Sequence, residues 1–171
     1  MALVLRRAIL FFVIVTLFAL LAAVAAQAAS RETVRLEGFA PGTIVVKTQE
    51  RHLYYVLRGK RALRFPVGVG KAGMQWRGAT RVAGKYVAPA WQAPRAINHG
   101  VLGPVIPGGS PRNPMGVAAL TLRGGEYAIH GTNNPASIGR FVSHGCIRMY
   151  NRDISKLFAL VSVGTPVIVQ Q

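Results

Sequence analysis

Glycine and proline, 19 and 10 of the 171 residues, interrupt the chain so often beyond residue 40 that most of its apolar runs are long enough only for strands. Thr43-Ile44-Val45-Val46-Lys47 is β-branched, the side-chain type that packs well on a pleated surface. His52 to Leu57 reads as a second strand, Gly59-Lys60 as a turn, and Arg61 to Val69 as the return strand of a hairpin. Gly68, Gly70 and Gly73 then break the pattern. Tyr86-Val87-Ala88 runs into Pro89, so a strand there must end or lie on an edge. Ala118 to Leu122 and Tyr127 to Ile129 read as strands joined through Gly124-Gly125, and Pro166 to Val169 as the last. One helix is predicted. Ile154, Leu157, Phe158 and Val161 fall on one face, Asn151 is its expected cap, Asp153 favours the first turn, and Gly164 and Pro166 end it. These elements predict a mainly β fold, a single β-sandwich-like or barrel-like domain with one or two short helices. Pro89 to Gly116 is a long Pro/Gly-rich loop carrying Trp91, Arg95, Asn98, His99, Arg112 and Asn113; it is expected to wall or cover a site, with an ordinary surface loop as the alternative.

The N-terminus follows another rule. Arg6 and Arg7 precede an apolar run from Ala8 to Ala26 broken only by Thr16, and Ala26-Gln27-Ala28 offers small residues for cleavage. Residues 1–28 are read as a secretory signal, with a retained inner-membrane anchor as the alternative, since about 20 apolar residues span a bilayer. Residues 29–42 are read as a linker and 43–171 as the domain. Removing the first 28 residues takes two arginines from the formal charge of +16, leaving +14 against five acids. Such a balance suits an anionic partner. For an exported chain that partner is a wall polymer or membrane surface rather than nucleic acid, and a merely well-solvated basic surface is the plainer alternative.

Cys146 is the only cysteine, so no internal disulfide is possible, and a lone thiol in an oxidising compartment is either buried and inert or kept for reaction. Its neighbours favour reaction. Ser143-His144-Gly145-Cys146-Ile147-Arg148 follows Ile129-His130-Gly131-Thr132-Asn133 in the chain. A thiol attacks only as thiolate and so needs a base. His144 and His130 are both candidates, and His130 is preferred because a residue at the end of a β-run can face the sulfur across the site. Glu126 is the one acid near by, but no carboxylate is required: the Gly131 carbonyl can accept the His130 ring N–H and fix its tautomer. His144 then orients substrate or the developing oxyanion. Gly145 opens the approach, backbone N–H groups of Gly145-Cys146 can form an oxyanion hole, and Arg148 suits a carboxylate. Ser143, Thr132 and Asn133 are further candidate substrate contacts. A metal bound by His130, His144 and Cys146 is the competing chemistry; no known ligand spacing supports it, and neither metal nor cofactor is expected.

The segments Ile129-His130-Gly131-Thr132-Asn133, Ile138-Gly139 and Ser143-His144-Gly145-Cys146-Ile147-Arg148-Met149 closely resemble the L,D-transpeptidase catalytic domain, the YkuD-like family, in its Gram-negative periplasmic branch. Phe65 to Lys71, Asn113-Pro114-Met115-Gly116 and Gly164 to Val167 extend the resemblance over nearly the whole domain. It implies a β-sandwich-like catalytic domain in the periplasm that acts on peptidoglycan stem peptides. Cys146 would attack the L-centre carbonyl of the third residue of a tetrapeptide and release D-alanine, leaving a thioester. An amine from a second stem would then give a 3-3 crosslink, or a lysine of an outer-membrane lipoprotein an anchor. The resemblance makes Cys146 the nucleophile, His130 the general acid/base and Gly131 the supporting carbonyl, with His144 and Arg148 on the substrate side. A monomer is expected, touching membrane only through its N-terminal segment. The chain departs from the family at Arg77 to Gly84, which lacks a Thr-Pro-x-Gly stretch, and some relatives carry Asn where Arg148 stands. A hydrolase using water on the same thioester, and a non-catalytic wall-binding protein, stay open.

Overall fold

A computed structural model describes residues 33–125 and 127–171, so the expected signal or anchor and Glu126 lie outside the described residues. Arg35–Gln171 forms one compact unit. Its strands, numbered along the chain with β1 at Thr33–Arg35, are β2 (Ile44–Lys47), β3 (His52–Val56), β4 (Arg61–Gly70), β5 (Gly78–Val87), β6 (Trp91–Gln92), β7 (Val105–Ile106), β8 (Ala118–Leu122), β9 (Ala128–His130), β10 (Phe141–Ser143), β11 (Ile147–Met149) and β12 (Pro166–Gln170). The helix α1 is Asn151–Leu160.

Two ten-residue strands organise the fold. The first half of β4 pairs with β3, and its end pairs with β11. The start of β5 pairs with β12, and its second half with β8. Each long strand thus passes from one sheet layer to the other. The ring closes through β12–β2 and β2–β3 on one side and through β11–β9 and β9–β8 on the other. The expected mainly β sandwich is therefore present, sealed at both edges by shared strands, which leaves few unpaired edges. Between the layers lie Ile44, Val46, Leu53, Phe65, Val67, Leu120, Ile129, Ile147 and Met149. The helix adds Ile154 and Leu157, both fully buried, and each such side chain contributes about 1.5–3 kcal/mol. The segment read as a linker is tied to the domain at its end. The Leu36 N–H donates to the Lys60 carbonyl and the Gly42 N–H to that of Val56.

One side chain gathers several points of the loop from Pro89 to Gly116. Asn113 is 1% exposed. Its Nδ2 donates to the carbonyls of Pro89, Ile106 and Pro107 at 2.8, 3.3 and 3.1 Å, and its Oδ1 accepts from the Met115 N–H at 2.9 Å. Both arms of the small β6–β7 ribbon are thereby held to one point. Asn113→Ala is expected to lower stability by about 2 kcal/mol in urea unfolding, because three carbonyls and the Met115 N–H lose the buried side chain that joins them. Limited proteolysis should then cut within 89–116. Wild-type resistance there would remove Asn113 as the knot.

Candidate functional site

β9 and β11 lie side by side and parallel, with Ile147 opposite Ile129 and Arg148 opposite His130. Ile129 and Ile147 point into the core. Alternation therefore turns Ala128, His130 and Arg148 to the other face, and Cys146, one step before β11, joins them beside Ala128. Arg148 acts electrostatically on His130, His144 and Cys146, so the four motif side chains share one neighbourhood. No group of three His, Cys, Asp or Glu residues among the described residues is arranged to hold a metal ion.

His130 is 4% exposed, and its Nδ1 lies 2.6 Å from the Gly131 carbonyl oxygen. A carbonyl only accepts, so Nδ1 carries the proton and Nε2 keeps its lone pair. Burial pushes the imidazole down to about 4; Arg148 adds to the fall, while the Gly131 and Pro114 carbonyls oppose it. Burial also raises the Cys146 thiol, against the Ala128 backbone hydrogen bond and the Arg148 charge. The thiol and the imidazole therefore both rest uncharged at neutral pH.

The Ser143–Cys146 bend is clamped from within. The Ser143 hydroxyl, 1% exposed, donates to the Cys146 carbonyl at 2.6 Å and accepts from the Gly145 N–H at 3.1 Å. Ser143 is thus spent inside the loop rather than presented to a ligand. The Gly145 N–H is engaged there too, so an oxyanion hole built from both Gly145 and Cys146 N–H groups is not present in this geometry. Trp76 Nε1 donates to the Gly145 carbonyl at 2.9 Å, and the Trp76 ring stacks on Tyr127 at 5.2 Å and 7°. Sequence reasoning passed over both aromatics; the signal was a tryptophan between Gly73 and Gly78, too short a stretch to show a period.

His144 is exposed, and its Nε2 lies 3.2 Å from Lys71 Nζ. Lys71 arrives there because β10 runs parallel to the end of β4, with Ser143 opposite Gly70. Partial burial, then Lys71 and Arg148, lower the His144 pKa, so this ring is also neutral and accepts from the ammonium. Arg148 Nε is buried with no hydrogen-bond partner among the described residues. Thr132 and Asn133 do not line the Cys146 pocket. Thr132 is buried, its hydroxyl bonded within a turn to Asn134, while Asn133 Nδ2 donates to the Pro111 carbonyl and ties that turn to the long loop.

Cys146 and His144 open into a pocket of about 490 Å³ with a mostly apolar lining that includes Met74, Trp91, Ile97, Met115 and Tyr127. The loop from Pro89 forms its wall, as expected. Trp91 lines it; Arg95, Asn98, His99, Arg112 and Asn113 do not. The long loop contributes Gln92, Pro94 and Ile97, which sequence reasoning did not single out.

The model of the L,D-transpeptidase catalytic domain family, YkuD, matches residues 41–169. The chain is 42% identical over 136 residues to YbiS of Escherichia coli (strain K12), a protein bearing the name L,D-transpeptidase, covering 72% of this chain and 43% of that one. It is 42% identical over 135 residues to ErfK/SrfK of the same strain, which bears the same name, covering 72% and 42%. The chain thus spans less than half the length of these relatives. Among solved structures, the catalytic domain of the E. faecium L,D-transpeptidase acylated by ertapenem is similar in fold, with a TM-score of 0.60, 23% identity and coverage of 78% and 99%. L,D-transpeptidase 3 from Mycobacterium tuberculosis with a faropenem-derived adduct gives a TM-score of 0.61 at 16% identity, covering 75% and 60%.

Proposed function

The chain belongs to the YkuD family of L,D-transpeptidase catalytic domains, and on that premise we propose that Cys146 and His130 carry acyl transfer on peptidoglycan stem tetrapeptides. The observation that supports this most is the neutral His130, its Nδ1 proton committed to Gly131 and Nε2 left as base, on the face it shares with Cys146. As Sγ attacks the L-centre carbonyl of the third residue, Nε2 takes the thiol proton. The Cys146 N–H is the remaining backbone donor of the bend for the oxyanion, since that of Gly145 is held by Ser143. Collapse breaks the amide bond, and His130 returns the proton to the departing D-alanine amine. A second amine then attacks the thioester carbonyl and gives a proton to Nε2, and the thiol is regenerated.

The Arg148 charge beside His130, His144 and Cys146 suits a stem carboxylate. His144 and Lys71 add a donor-rich rim. The apolar wall keeps bulk water from the thioester and favours an amine as acceptor. In this reading the protein works in the periplasm as a monomer, with another stem or a lipoprotein lysine as acceptor, and residues 1–28 serve export or anchoring. Incubation of the protein with disaccharide tetrapeptides, followed by mass analysis, is expected to give crosslinked dimer with loss of D-alanine. Tripeptide alone would make water the acceptor and the protein a carboxypeptidase. No product, together with no acylation of Cys146 by a carbapenem, would sink both.

A further inference from the structure

We propose that Asn151 is a positioning residue of this site, acting on His130 through the single peptide group that joins Gly131 to Thr132. The inference rests on His130 being the base. The two ends of that peptide are both engaged. Its carbonyl accepts from His130 Nδ1 at 2.6 Å, and its N–H, that of Thr132, donates to Asn151 Oδ1 at 2.9 Å. A peptide group is planar, so fixing the N–H fixes the direction in which the carbonyl points. An acceptor at the N–H end also polarises the group, adding negative charge to the oxygen that faces the imidazole. That charge matters most when His130 has taken the thiol proton and become a cation.

Three observations separate this from ordinary helix capping. At the start of α1 the Asp153 and Ile154 N–H groups donate to the Tyr150 carbonyl, at 2.9 and 3.0 Å. Tyr150, not Asn151, stands at the cap position, and no side chain caps the helix. The sequence expectation of an Asn151 cap is therefore replaced: its side chain turns back to the β9 end. There it meets a second donor, the Val117 N–H, at 3.4 Å. Two N–H donors facing one atom identify that atom as the amide oxygen. The space is also reserved. A Cβ on Gly131 or on Gly116 would strike Asn151 Oδ1, so both glycines leave room for this one oxygen. The burial of Ile154 and Leu157 seats the helix, and with it the amide, against the core.

The site would then replace the carboxylate of a Ser-His-Asp arrangement by a carbonyl, and support that carbonyl from behind with an uncharged amide. An ionised acid would hold the imidazole more tightly and raise its pKa. The peptide and amide hold it in place while leaving it neutral.

The test compares Asn151→Asp, which keeps an acceptor in the same place, with Asn151→Leu, which keeps approximate size and removes it. Two measurements apply: the NMR resonance of the His130 Nδ1 proton in the free protein, and carbapenem acylation of Cys146 resolved into initial binding and the acylation step. In Asn151→Leu the resonance should move upfield and the acylation step slow by about ten- to a hundredfold, part of the 10²–10⁴ that a positioned acid/base contributes, with binding unchanged. Asn151→Asp should keep the resonance as far downfield as wild type and recover the rate to within about threefold. An unmoved resonance in Asn151→Leu, or an equal loss in both variants, would overturn the proposal. If Asn151→Leu fails to fold, the Asn151→Asp resonance decides alone: an upfield move overturns the proposal, and a retained or downfield position supports it. Absence of acylation in the wild type would defeat the transpeptidase reading, yet the resonance would still report whether Asn151 supports His130.

Discussion

His130→Gln is expected to slow acylation of Cys146 about 10²–10⁴-fold near neutral pH and to change the shape of its pH profile. Glutamine keeps an uncharged, hydrogen-bonding side chain of similar size at the strand end. What disappears is the lone pair that takes the thiol proton. The Cys146 thiol is raised by burial, so few molecules are thiolate at neutral pH without a base. In the variant the rate should climb steadily with pH, following direct ionisation of the thiol. In the wild type the rate should be flat through neutrality and fall only as His130 protonates, at about 4. The loss in acid is thus expected well below the range of an ordinary imidazole. A rate for His130→Gln equal to that of wild type would remove His130 as the base.

The same burial sets a stability window. The folded His130 is depressed to about 4 from 6.5, so between these values the unfolded chain binds the proton and the folded one does not. Stability from this group is fully present above pH 6.5 and is lost as pH falls toward 4, to a total of roughly 3 kcal/mol. Urea midpoints measured from pH 7 to 4 should fall accordingly, and His130→Gln should flatten that part of the curve.

What could be read from the residues follows from the range of the forces involved. Strands β2, β3, β4, β8 and β12 were legible because β-branched or apolar runs end at turn residues. The helix face of Ile154 and Leu157 was legible because its period is local. The nearness of Cys146 and His130 was legible because the two residues lie in two short motifs, whose strands pair in the fold. β10 and β11, three residues each, were not, since a strand that short shows no alternation. The start of β5 was hidden by glycines and an arginine, and is held by pairing with β12 rather than by propensity. Asn151 was misjudged because local capping rules do not register donors from 19 and 34 residues earlier. Asn113 and the Trp76–Tyr127 pair were missed for the same reason: each joins segments that meet only in the fold. Ser143 and Thr132 carry the polar groups expected of substrate contacts, but the bend and the turn consume them first.

Gly145→Ala is expected to reduce Cys146 acylation about a hundredfold while leaving Cys146 and His130 themselves in the chain. Gly145 has φ +122, a backbone region that side chains rarely adopt, at a cost of about 1–3 kcal/mol. The added methyl would also enter the Tyr127 ring. That ring cannot simply yield, because Trp76 is stacked on it and donates to the carbonyl of Gly145 itself. Moving Tyr127 therefore loosens the donor that holds the bend. Moving the bend breaks the Ser143 clamp on Gly145 and Cys146. Either way the sulfur shifts against Nε2, and a displacement of about 1 Å is enough for a loss of that size. The disturbed thiol should meanwhile react faster with a neutral disulfide reagent, since the pocket wall no longer fits around it. If the collision is the cause, removing the ring should lessen the added harm. The loss from Gly145→Ala should be smaller in a Tyr127→Ala background than in wild type, a coupling that a double-mutant cycle reads directly. Additive losses would place the effect in backbone strain alone, and a wild-type rate in Gly145→Ala would show that the bend tolerates a side chain.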